Sequence, residues 1–301
     1  MTGTKMHADE VDIDAPLVGR LIAAQFPAWA HLPVTAVRSA GTDNAMYRLG
    51  DDMAVRLPRV PRAAGQVAKE QRWLPHLAPH LPLAVPVPLA VGEPGEGYGL
   101  PWSVYRWLEG ENAVDEPLTD LPHAAVELGG FVAALRSVDA TGGPASFRGG
   151  PLSGREEQVR AAIRDLGADG TVDGDAATAA WEECLGLPQW EGEPVWLHGD
   201  LLPGNVLVRG GRLTAVIDFG GLGTGDPACD TMAAWTLLSP PTRGLFRESV
   251  GVDDATWARG RGWALCFGLM VEHYYRVTNP VLAAMGRRAM YEALDDVRRE
   301  G

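Results

Sequence analysis

Three segments decide how this chain is read: HGDLLPGNVLV (residues 198–208), IDFG (217–220) and GDPACD (225–230). Asp200 is followed five positions on by Asn205, on a loop between the short apolar runs Val195–Leu197 and Val206–Val208. Asp218 follows a third run, Leu213–Ile217, and opens an Asp-Phe-Gly turn. Phosphoryl transfer needs a nucleophile aimed in line and a triphosphate whose charge is neutralised by metal. A carboxylate that accepts a hydroxyl proton, an Asn a few residues later and an Asp on a neighbouring turn supply those parts. Hard oxygen ligands from Asn205 and Asp218 suit Mg²⁺, which keeps waters and bridges phosphates. Each segment alone is common. In this order, with each loop following a strand, they are specific. His198 reads as a buried histidine that hydrogen-bonds the loop backbone.

Working outward, 301 residues with 46% apolar composition bury a large core and suit two lobes better than one minimal domain. The net charge of −13 lies almost wholly beyond residue 110, where sixteen Lys and Arg face twenty-eight Asp and Glu. No basic patch that would grip a nucleic-acid backbone is visible. An acidic cleft would attract a cationic substrate, although a solvated acidic surface accounts for the same charge. Cys184, Cys229 and Cys266 are far apart and form no CxxC pair, which fits a reducing cytoplasm. The acidic start, MTGTKMHADEVDID, has no apolar h-region, and Trp263–Val271 is far short of a membrane span.

Apolar spacing predicts a helix over Asp14–Ala30, strands over Val34–Arg38, Ala45–Leu49 and Met53–Leu57, and a helix over Gly65–Leu77. Pro79–Pro88 reads as an extended connector, Trp102–Trp107 as a strand, and LEGEN as a hinge near residues 107–111. Helices are expected over Leu121–Val138, Arg155–Leu166, Ala176–Leu185, Asp230–Leu238 and Thr256–Thr278, with Pro280 interrupting before a last helix through Arg299. The fold class is therefore α+β, with a small antiparallel-sheet N-lobe over residues 1–108 and a larger, mainly helical C-lobe over 109–301.

HGDLLPGNVLV…AVIDFG…GDPACD resembles the active-site signature of the aminoglycoside phosphotransferase family, a branch of the protein-kinase-like fold that includes antibiotic and choline-type kinases. GTDNAMYRLG…AVRLPR, LPLAVPVPLAVG and PWSVYRWLEGE extend the likeness over most of the chain. The resemblance implies that Asp200 is the catalytic base, that Asn205 and Asp218 hold Mg²⁺, and that the hinge backbone at Arg106, Trp107 and Leu108 receives the purine of ATP or GTP. It implies transfer of the γ-phosphoryl group to a hydroxyl of a small molecule, an aminoglycoside or macrolide antibiotic first, a metabolite alcohol (choline, amino-acid or sugar-like) next. A catalytically silent nucleotide- or drug-binding protein is the rival. Asp226 and Asp230 fall in the GDPxxD segment and read as structural, Asp230 as the N-cap of the next helix.

In kinases a strand lysine contacts the phosphates and pairs with a helix glutamate. Here the matching place holds Arg56, with Glu70 as its partner; a guanidinium can hold phosphate oxygens bidentately. The SAGTDN bend has one glycine and no GxGxxG, yet backbone N–H groups from Ser39 through Thr42 to Asn44 could cradle phosphate. On the acceptor side Glu182, Glu183, Asp253, Asp254, Glu272 and Tyr275 are candidate polar contacts, each better explained as part of a solvated helix face. Trp235, Trp257, Trp263, Phe267 and Met270 are expected between helices.

Overall fold

A computed structural model describes residues 11–37 and 43–300, with the side chain of Glu300 left aside. The chain starts with α1 (Ala15–Gln25), whose first turn is capped by Asp14: its Oδ1 accepts from the Leu17 N–H at 2.8 Å. Leu17, Val18, Leu21 and Ile22, at helical spacing, face a sheet built from β1 (Val34–Ala36), β2 (Asn44–Leu49) and β3 (Met53–Pro58). The helix stops short of Ala30 because Pro27 starts a separate 3₁₀ turn, Pro27–Trp29. Helix α2 (Ala64–Leu77) follows, then β4 (Pro88–Gly92) and β5 (Trp102–Arg106). The five strands run in the order β1-β2-β3-β5-β4, every pair antiparallel.

Strand β4 begins where the extended connector is expected to end. It is an edge strand with a register shift near Pro88, and its Leu89 and Val91 are exposed, so its apolar pattern carries no core signal. Gly92, its last residue, has to lack a side chain because the indole of Trp102 lies where a Cβ would be. Trp102 is itself fully buried, edge-on to Phe26 at 5.6 Å.

The C-terminal region opens with β6 (Glu111–Asn112) and α3 (Leu121–Ser137), capped by Asp120. Helices α4 (Glu156–Ala168) and α5 (Gly174–Leu185) come next. Strands β7 (Val195–Leu197), β8 (Val206–Arg209), β9 (Arg212–Val216) and β10 (Gly223–Gly225) form two small sheets, β6-β8-β9 and β10-β7, which bracket the loops of interest. Then follow α6 (Ala228–Thr231), α7 (Ala233–Thr236), α8 (Pro240–Val250), α9 (Asp254–Tyr275) and α10 (Pro280–Glu300). Helix α9 is buried along most of its length, through Trp263, Leu265, Phe267 and Leu269 among others, because α4, α5, α6 and α10 cover it on several sides. Trp235 is buried against the half-buried Trp257, ring centroids 4.7 Å apart, and Met270 packs at the edge of the same core.

The structure departs from the sequence reading around residues 227–241 and at Pro280. One helix over 230–238 is two short ones, α6 and α7. Asp230 is not an N-cap: it lies inside α6, and Pro227 holds the cap position. Helix α8 stands between the expected helices Asp230–Leu238 and Thr256–Thr278, where the sequence reading places none. Pro240 and Pro241 occupy its first turn, where no N–H is needed, and the Ser239 N–H donates to Thr242 Oγ1 at 3.2 Å. Pro280 likewise begins α10 and does not merely interrupt. The three cysteines are buried and free, and burial pushes the Cys184 thiol up to about 12. Among the described residues no helix is long and apolar enough to cross a membrane.

Candidate active site

The loop from His198 to Asn205 is held from beneath by Asp230, whose carboxylate accepts from the His198 N–H at 2.7 Å and the Gly199 N–H at 2.8 Å. Burial raises the Asp230 pKa, while His198 and these two N–H groups work the other way. His198 is fully buried, with Nε2 3.0 Å from the Ile217 carbonyl and Nδ1 accepting from the Asp200 N–H at 3.2 Å. Its ring meets Phe219 edge-on at 4.6 Å. The histidine thus ties the first loop to the Asp-Phe-Gly turn through backbone groups.

Asn205 Nδ2 donates to the Asp200 carbonyl at 2.8 Å and to Asp200 Oδ2 at 3.1 Å. The Asn205 carbonyl accepts from the Ile217 N–H at 2.8 Å, which brings Asp218 alongside. Asp218 adopts φ 59° and ψ 70°, a left-handed conformation uncommon outside glycine, and its Oδ1 accepts from the Gly220 N–H at 3.3 Å. The donor set fits a hard divalent cation. Asn205 Oδ1 and Asp218 Oδ2 accept no hydrogen bond among the described residues, so one oxygen of each is left for it.

Arg56 and Glu70 are brought together as expected. Arg56 Nη1 pairs with Glu70 Oε1, and Tyr105 donates its hydroxyl to Glu70 Oε2. Arg56 Nη2 also reaches Asp218 Oδ1 at 2.6 Å. Burial works against the charge on Arg56, but Glu70 and Asp218 outweigh it and raise the pKa. With its amide oxygen turned toward Arg56, Asn44 accepts from Nε at 3.2 Å and Nη2 at 2.8 Å. Arg38, Ser39 and Thr42 lie outside the described residues.

At the hinge, the Arg106 N–H donates to the Val87 carbonyl at 3.0 Å and the Trp107 N–H to the Asp52 carbonyl at 2.7 Å. Both are therefore engaged within the protein. The Leu108 N–H makes no such backbone bond among the described residues.

The acceptor-side candidates are spread apart. Glu182 pairs with Arg160, Glu183 with Arg261, and Asp254 with Arg247. Asp253 caps α9 through the Thr256 N–H at 2.7 Å, and the Tyr275 carbonyl accepts from the Asn279 N–H at 2.8 Å. Glu272 is not on a solvated face: it is buried and paired with Arg287 at 2.6 Å. Asp226 forms a buried pair with Arg259 at 2.8 Å.

Two residues escape the sequence reading. Arg148 pairs with Asp200 Oδ1 and donates to the Gly199 carbonyl at 2.9 Å. It sits in TGGPASFRGG, a Gly-rich loop without periodicity, so nothing local marks it. Lys69 Nζ donates to the Gly220 carbonyl at 2.7 Å, and burial lowers its pKa. Its place beside Glu70 on α2 is the signal that could have found it.

Residues 34–263 match the model of the phosphotransferase enzyme family, and the chain belongs to that family. No curated protein matches it. Among solved structures, it is similar to the GDP complex of aminoglycoside 2'-phosphotransferase-IIIa, with 19% identity and a TM-score of 0.75, over 95% of this chain and 100% of the other. The GDP and kanamycin complex of APH(2")-IIIa gives 19% identity and a TM-score of 0.70, over 94% and 99%. Macrolide 2'-phosphotransferase MphH from Brachybacterium faecium gives 25% identity and a TM-score of 0.62, over 94% and 98%. The fold is that of the kinase-like aminoglycoside phosphotransferases, and its family makes the chain a phosphotransferase.

Proposed function

We propose that this chain moves the γ-phosphoryl group of ATP or GTP to a hydroxyl of a small molecule of the antibiotic kind, in a Mg²⁺-dependent reaction. The observation that carries the reading is the single network joining Asp200, Asn205 and Asp218 across two loops. Asp200 orients the acceptor hydroxyl and takes its proton as the oxygen attacks phosphorus. Asn205 and Asp218 would hold Mg²⁺, which supplies charge neutralisation on the phosphates when bound. Arg56, kept in place by Glu70, takes the phosphate-contacting part usually given to lysine, and Asn44 orients it. Ser39 and Thr42 belong to the bend assigned to the phosphates. Leu108 offers its N–H to the purine, with Arg106 and Trp107 fixing its position. On this reading residues 1–108 form the nucleotide lobe and 109–301 the catalytic and acceptor lobe.

The test is Mg²⁺-dependent nucleotide turnover with ATP and GTP against a panel of hydroxyl compounds. Asp200→Asn is expected to lower acceptor-dependent turnover by roughly 10²–10⁴-fold. Unchanged turnover in that variant would remove Asp200 from the role of base.

A further inference from the structure

Asp200 presents different oxygens to its two neighbours. Oδ2 faces Asn205, the side of the proposed metal and phosphates, whereas Oδ1 faces Arg148. An acceptor that reaches Asp200 away from the phosphates therefore meets Arg148. Arg148 lies 4.9 Å from the Phe147 ring and 5.8 Å from that of Phe267. Arg155 lies 5.9 Å from the Phe147 ring and donates to the Phe147 carbonyl at 2.6 Å. Phe147, near both guanidinium groups, is nonetheless 58% exposed. Arg155 forms no ion pair among the described residues. Both arginines act on the Cys266 thiol, which burial nonetheless pushes up to about 12. Of the carboxylates on the surrounding helices, Glu183, Glu272 and Asp165 are partnered by Arg261, Arg287 and His273, while Glu156 and Glu182 share Arg160.

We infer that the acceptor is an uncharged or anionic hydroxyl compound with an apolar face, seated on the exposed part of Phe147 near Arg148 and Arg155, and not a polyamine sugar. This rests on Asp200 being the base. A polycation placed there would meet two like charges against one carboxylate. An apolar face finds an aromatic platform, and an anionic or carbonyl oxygen finds guanidinium N–H groups.

Binding of three probes to the full chain with Mg²⁺ and ADP tests this: kanamycin, an uncharged aryl glycoside and an aromatic hydroxy acid. Wild type is expected to bind the aryl glycoside or the hydroxy acid at least about tenfold more tightly than kanamycin, and Arg155→Glu to shift that ratio toward kanamycin by about tenfold. Arg155→Gln, which removes the charge with less disturbance, should shift it the same way by less. Tighter binding of kanamycin by wild type, or a ratio unmoved by both variants, overturns the inference. Because the ratio is read from binding, a failure of phosphoryl transfer counts against the role of Asp200 and not against the charge preference.

Discussion

Arg56 Nη2 lies 2.6 Å from Oδ1 of Asp218, a residue 162 positions further along the chain. The same guanidinium pairs with Glu70, so one cation bridges the N-terminal sheet, α2 and the Asp-Phe-Gly turn. Arg56→Met would leave Glu70, only 1% exposed, without its cation. The expected loss is about 3–5 kcal/mol of stability, read by urea unfolding. Adding Glu70→Gln should recover part of it; no recovery would mean that Glu70 is not the group left stranded.

Gly199 has φ +77°, and a Cβ there would come within 2.5 Å of the Gly221 carbonyl oxygen. Gly199→Ala therefore strains the backbone and forces apart the loops that carry Asp200 and Asp218. The expected cost is about 1–3 kcal/mol, with turnover falling further than stability alone explains. Thermal unfolding and steady-state rates measured together check this.

Arg259 holds both oxygens of Asp226, at 2.8 and 3.1 Å, and donates to the Pro188 carbonyl at 2.9 Å. Arg259→Leu is expected to cost about 3–5 kcal/mol because Asp226 stays buried and unpaired. Arg259→Lys should fall between, since an ammonium cannot hold both oxygens as a fork does. Equal stability of the two variants would contradict the bidentate account.

Asp169 is held down to about 2, from an ordinary value of 3.8, by hydrogen bonds from Thr171 and Arg276. The folded state thus gains from the ionised form above the ordinary value and loses the gain as pH falls toward 2. Asp169→Asn should flatten the acid limb of stability in that window, measured by unfolding at a series of pH values. An unchanged limb would refute the assignment.

Much of the fold is legible in the sequence because local chemistry writes it. Short apolar runs mark β2 and β3, helical spacing marks α1 and α3, and turn residues separate them. Strand β4 and helix α8 are not legible, since an exposed edge carries no core pattern and a Pro-Pro pair reads as a turn until its position in a first turn is known. At the site, Asp200, Asn205 and Asp218 can be picked out because the chemistry restricts their types and spacing.

Residue types and spacing marked out the two loops and the helical character of the second half, and the kinase template matched to Arg56 marked its pairing with Glu70. Packing was needed to reveal that Asp230 holds the Asp200 loop by its backbone, that Arg148 stands against Asp200, and that Glu272 is buried. Type and spacing are local properties, whereas an ion pair between residues 52 positions apart depends on how the intervening chain packs.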